Sequence, residues 1–112
     1  MMEDNRIDAL VTLCMLKLRF QNKLQVNLTN IQEKSKELKD MRLDEQSIIA
    51  SIQRLRHRGH VKDNSVNLLL GSGIVHHYIE ILQYDDGVNI EETLDILENR
   101  IRHYTEHRRY DL

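Results

Sequence analysis

Proline is absent and glycine occurs only four times in 112 residues. So few chain breakers favour helices joined by a small number of tight turns. There is one cysteine, Cys14, which excludes an intramolecular disulfide and a four-thiolate zinc site. It lies in an apolar run and reads as buried and inert. No apolar stretch approaches the ~20 residues that a spanning helix needs. The start, Met-Met-Glu-Asp-Asn, lacks the basic residues and apolar run of a secretory signal. A soluble, cytoplasmic chain with no membrane partner is expected. A last absence is local: residues 63–99 contain no Lys or Arg.

What is present supports one folded domain over residues 1–112. A chain of this length buries roughly two-thirds of its unfolded surface, enough for a core without covalent staples. The composition, 40% hydrophobic and 30% charged, is that of a globular protein. Sixteen Lys and Arg against 18 Asp and Glu give a net charge of −2, which excludes a uniformly basic nucleic-acid coat. The charge is uneven: +1 over residues 1–30, +3 over 31–62, −8 over 63–99 and +2 over 100–112. Such asymmetry is a common sign of a charged binding face.

Residues 4–22 read as a helix whose apolar surface, Ile7, Leu10, Val11, Leu13, Cys14, Leu16, Leu18 and Phe20, wraps most of its girth. A helix of this kind is buried on more than one side. Residues 24–28 alternate apolar and polar with the period of a short strand. Thr29 or Asn30 is then placed to cap a helix from Ile31 to Leu38, with Glu33 closing a capping box. After a turn over 39–43, Asp44 caps a second helix running to Arg58. Its docking stripe is expected at Ile48, Ile52 and Leu55, and Gly59 is placed to end it. Two β-branched runs, 66–70 and 74–82, flank Gly71-Ser72-Gly73 and read as a hairpin within 60–83. Asn89 caps a final helix over 89–108, in which Ile90, Leu94, Leu97, Ile101 and Tyr104 form a seam at heptad spacing.

The order helix, short strand, helix, turn, helix, hairpin, helix resembles the winged helix-turn-helix fold. The resemblance is sharpest at Leu28-Thr29-Asn30-Ile31-Gln32 and at the run from Ser47 to Val61 that contains Leu55-Arg56-His57-Arg58-Gly59-His60-Val61. Regulators of the multiple-antibiotic-resistance and arsenic-repressor types show a similar pattern. The resemblance implies an α+β, mostly helical fold: a helix-turn-helix over 30–58, a β-hairpin wing over 60–83, and a C-terminal dimerisation helix.

The physics of the motif does not depend on the family. A helix held proud of its domain fits the major groove, where each base pair shows a distinct set of donors and acceptors. The residues expected to read bases are Gln46, Ser47, Ala50, Ser51 and Arg54, with Gln53 on the same outward face: Gln pairs with adenine, Arg with guanine, and small residues permit close approach. Lys34, Lys36, Lys39, Arg42, Arg56, Arg58 and Lys62 are expected on phosphates. Leu94, Leu97, Ile101 and Tyr104 are expected to join two copies. Asp44 and Glu45 add negative charge at the start of the reading helix, where they favour the helix dipole. The hairpin offers DNA only neutral donors: Asn64, Asn67, Ser72, His76 and His77.

Other chemistry is less well supported. His103 and His107 lie four apart on a helix, a spacing that can hold a metal, but solvated surface histidines explain them better, and no metal or other cofactor is expected. No phosphate-cradling glycine loop, nucleophile elbow or His-Glu-x-x-His is present, so an enzyme is not expected. The expected function is sequence-specific binding of double-stranded DNA as a homodimer, as a transcriptional repressor or a plasmid or phage maintenance regulator, in the cytoplasm at the nucleoid. The rival is a protein-interaction module of the same architecture that does not bind DNA.

Overall fold

The computed structural model describes residues 2–20, 27–58 and 89–110. They form four helices: α1 (Asp4–Phe20), α2 (Leu28–Lys39), α3 (Glu45–His57) and α4 (Ile90–Tyr110). Among the described residues there is no strand. Over the described residues the expected α+β winged architecture is therefore corrected to an all-helical one. The hairpin assigned to 60–83 lies outside the described residues, as do residues 24–26 of the short strand. The end of that strand is helix: Leu28 is the first residue of α2.

The reason lies in the cap. Asn27 has extended backbone, and its side chain accepts a hydrogen bond from the Asn30 N–H at 2.8 Å. A capping Asn starts a helix as well as Ser or Thr does. Thr29 and Asn30, the expected caps, are thereby drawn inside the first turn. Asp44 caps α3 as expected, accepting from the Ser47 N–H at 3.1 Å. Ser47, first through its side chain and then through this N–H, holds the Asp44 carboxyl below its ordinary value. Asn89 caps α4, accepting from the Glu91 N–H at 3.0 Å.

α1 is the centre of the molecule. It packs against α2, α3 and α4, while α2 also packs against α3. All nine residues from Asp8 to Leu16 are buried. Nine consecutive positions cover every direction around a helix axis, which explains why the apolar residues of α1 follow no single stripe. The three helices of the same chain supply the surroundings. The core joins α1 to Ile31 of α2, Leu43 of the turn, Ile48 and Leu55 of α3, and Leu94, Leu97 and Ile101 of α4. No helix among the described residues is long and apolar enough to cross a membrane.

Two core groups give direct tests. The Thr12 hydroxyl is buried with no hydrogen-bond partner among the described residues, which costs about 1–3 kcal/mol. Thr12→Val keeps the shape and removes the hydroxyl. Its urea midpoint should rise, by an increment corresponding to about 1 kcal/mol; a fall would show that the hydroxyl is hydrogen-bonded in solution. Cys14 is fully buried, and burial pushes its thiol up to about 12. Only the thiolate reacts, so an aromatic disulfide reagent at neutral pH should label Cys14 at the rate of unfolding. Fast labelling in native buffer would contradict the packing of α1.

Candidate nucleic-acid interface

The α2–α3 connection, Asp40 to Asp44, is held by side chains of α2. Asp40 adopts a left-handed conformation, φ 53° and ψ 32°, and its N–H donates to the Lys36 carbonyl at 2.8 Å. Asp is among the few residues besides Gly that tolerate this region. Leu43 then turns into the core at 5% exposure. Its N–H donates to the Ser35 hydroxyl at 3.1 Å, and its carbonyl accepts from the Gln32 side chain at 3.0 Å. The Ser35 hydroxyl donates in turn to the Gln32 carbonyl at 2.8 Å. Both backbone polar groups of the buried turn residue are thus satisfied, and the path from α2 into α3 is defined. Gln32 and Ser35 do this work one helical turn apart; neither was marked by the sequence as a turn residue.

α3 is oriented by a carboxylate that the sequence reading did not single out. Asp8 of α1 is fully buried. Ser51 donates its hydroxyl to it at 2.7 Å. Arg54 donates from Nε at 3.1 Å and from Nη2 at 2.7 Å, and Arg58 Nη1 lies 3.7 Å away. The hydrogen bond to Asp8 raises the Arg54 pKa above its ordinary value. The sequence does carry a signal here: a lone acid in the apolar wrap of Ile7, Leu10 and Val11 requires a cation if it is buried.

This cluster rotates α3 relative to expectation. The buried face is Ile48, Ser51 and Leu55, with Ile52 half-buried at its edge, instead of Ile48, Ile52 and Leu55. The opposite face is Gln46, Ile49, Gln53 and Arg56, all exposed and spaced by three, four and three residues. Of the residues expected to read bases, Gln46 is exposed, Ser47 and Ala50 are half-buried, Ser51 is buried, and Arg54 is half-buried on Asp8. Ser51 and Arg54 are therefore corrected: they belong to the α1–α3 seam. Ile49, 41% exposed, also lies on the outward stripe.

The expected phosphate contacts divide similarly. Lys36, Arg42 and Arg56 are exposed, and Arg42 also donates to the Gln32 side chain at 3.2 Å. Lys34 is buried and pairs with Glu37 at 3.1 Å. Lys39 pairs with Glu91 of α4. Arg58 lies by Asp8, and Lys62 is outside the described residues. The expected dimer seam is also engaged within the chain. Leu94, Leu97 and Ile101 are 0%, 1% and 3% exposed in the single chain and belong to the core around α1. Withdrawing them for a partner would expose side chains worth about 1.5–3 kcal/mol each. The Tyr104 side chain lies outside the description. Among the described residues, no group of three or more His, Cys, Asp or Glu is placed to hold a metal ion.

α4 is tied to α1 and α2 by ion pairs as well as by the core. Glu91 accepts from Lys39 of α2 and from Arg6 of α1, the latter at 2.7 Å. Arg6 also bonds Asp95 and approaches Glu98 at 3.3 Å. Comparison with protein-family models, with curated proteins and with solved structures found no match to this chain. The functional reading therefore rests on the chain's own residues.

The Glu91 pairs carry a pH signature. The hydrogen bonds from Lys39 and then Arg6 hold its carboxyl below the ordinary Glu value. A folded pKa below the unfolded one contributes stability that is present above the unfolded value and is lost as pH falls through the folded one. Glu91→Gln should therefore lower stability at neutral pH and flatten the fall in melting temperature on acidification below the ordinary Glu range. High salt should shrink the difference, because the pairs are exposed. An unchanged acid limb would show that Glu91 is unpaired in solution.

Proposed function

We propose that the protein is a DNA-binding regulator, rather than an enzyme, which reads duplex DNA in the cytoplasm as a homodimer through the outward stripe of α3. The observation that carries this reading is the stripe itself: Gln46, Ile49, Gln53 and Arg56 lie exposed along one face of a helix that follows a clamped turn. Gln pairs with adenine edges, Arg with guanine edges, and an apolar side chain contacts the thymine methyl. Ala50, half-buried beside the stripe, permits close approach to the groove floor.

The charge argues for two copies. Of the expected phosphate contacts, Lys36 and Arg42 are exposed and lie off the stripe, few for one chain to hold a duplex at physiological salt. Two chains double the number and would set the two reading helices about 34 Å apart, one turn of DNA. The two-fold contact would use a surface other than the Leu94–Leu97–Ile101 seam. Transcriptional repression or plasmid or phage maintenance is the biological role that fits such a binder.

A second reading has its own support. Ile49 and Met41 are exposed apolar side chains on α3 and its turn, and Asp44 and Glu45 stand at the helix start. Both suit a protein partner better than a phosphate backbone. Selection from random duplex pools at two salt concentrations separates the readings. DNA recognition by a dimer gives an enriched palindrome and a salt slope of about −3.6 or steeper for four phosphates. In the enriched site, Gln53→Ala or Arg56→Ala should cost about 1–3 kcal/mol at one base position and relax preference there. No binding at low salt rejects DNA recognition in favour of the protein partner, and a monomer in sedimentation rejects the dimer.

A further inference from the structure

Two buried faces are open to α3, and they share Ile48 and Leu55. The apolar spacing closes the face with Ile52; in the fold Ser51 closes it, and Ile52 is half-buried at the edge. At about 100° per residue, the two faces differ by a rotation of about 30° about the helix axis. Apolar burial alone favours the first, which covers Ile52 and draws in Ile49, now 41% exposed. The opposing force comes from α1. Asp8 is fully buried and accepts from the Ser51 hydroxyl at 2.7 Å and from Arg54 Nε and Nη2 at 3.1 and 2.7 Å. These bonds are directional, and rotation towards Ile52 would strand the carboxylate without them. Arg58 also approaches Asp8, at 3.7 Å, and Arg54 Nη1 lies 3.9 Å from Asp4. Two carboxylates thus stand against two guanidinium groups. The cluster has no surplus charge to offer a ligand; what it supplies is direction.

That direction decides what α3 shows to the outside. The same rotation would carry Ile49 and Arg56 to the side and bring Ala50 and His57 to the middle of the outward face. Ile49 and Arg56 are the side chains suited to a thymine methyl and a guanine edge. We propose that Asp8 is the positioning residue that selects which bases α3 reads: without touching DNA, it holds the helix about 30° off its apolar optimum and keeps Ile49 and Arg56 on the reading face. The inference rests on the reading of α3 as a DNA-recognition helix, and it makes specificity depend on a residue of α1.

Two measurements on the full chain test it, each in Asp8→Asn and in Asp8→Leu/Arg54→Ala, which removes both members of the pair. Melting curves establish that each variant is folded at the assay temperature. If neither is, Ser51→Ala, which removes one bond and leaves the ion pair, should give the same changes in smaller measure. The first measurement is the labelling rate of a thiol placed by Ser47→Cys or by Ile49→Cys, against which the buried Cys14 is silent. Relaxation of α3 turns position 47 outward and position 49 inward, so labelling should quicken severalfold at the first and slow severalfold at the second. General loosening quickens both. The second measurement is selection of sites from random duplex pools. Each variant should lose preference about tenfold at the base positions that Ile49→Ala and Arg56→Ala relax in the wild type. A merely structural role weakens binding but returns the wild-type site. Labelling that quickens at both positions or changes at neither, or a wild-type site from a folded variant, overturns the positioning role and leaves the α3 reading in place. Absence of wild-type binding at low salt overturns the α3 reading, and with it the selection of bases; the two labelling rates still report whether Asp8 sets the facing of the helix.

Discussion

A carboxylate removed from water needs cations and donors in place of the water it lost. At Asp8 those groups are Ser51, Arg54 and Arg58, all on α3. The bonds tie the central helix to the helix proposed to read DNA, and they set the rotation of that helix about its own axis. With Ser51 turned inward, Gln46, Ile49, Gln53 and Arg56 face outward. Breaking such a pair by removing one member typically costs about 3–5 kcal/mol, a large part of the stability of a small domain. Replacing the whole cluster by apolar residues is often neutral. The pair is therefore better understood as a device for orientation than as a source of stability.

The same accounting changes the meaning of the basic segment. Residues 31–62 have a net charge of +3, which reads as an electrostatic face. Within the fold, Lys34 pairs with Glu37, Lys39 with Glu91, and Arg54 and Arg58 approach Asp8. Lys39, Arg54 and Arg58 thus join helices to one another, α2 to α4 and α3 to α1, while the Lys34 pair lies within α2. The exposed pairs among these are worth little individually. Their value is geometric, because they link helices whose apolar contacts are non-directional.

α1 shows how a helix becomes a core. Its buried residues point to all sides, and α2, α3 and α4 each cover part of it. Once α4 lies on α1, its apolar seam is satisfied within the chain. Spacing alone is the same for an internal seam and for a dimer contact. What separates them is whether a matching apolar face exists in the same chain, and α1 provides one.

Much of the helical framework was legible in the sequence. The scarcity of breakers, the caps at Asp44 and Asn89 and the apolar spacing located α1, α3 and α4 closely, because these are local preferences of the backbone. The burial of Cys14, Ile48 and Leu55 was legible for the same reason. The start of α2 was not, because Asn27, Thr29 and Asn30 all make competent caps and only the folded chain chooses one. The winged α+β architecture was inferred from an order of elements, whereas the elements among the described residues are all helices. The candidate site was half legible. Gln46 and Gln53 follow from their outward positions, whereas Ser51 and Arg54 were assigned to the wrong face because their partner is 43 and 46 residues away. By itself the sequence determined which segments become helices and which residues prefer the interior, since both depend on near neighbours. Only the tertiary structure decided which way α3 faces and which cations remain outside, because a buried carboxylate is paired through space, not along the chain.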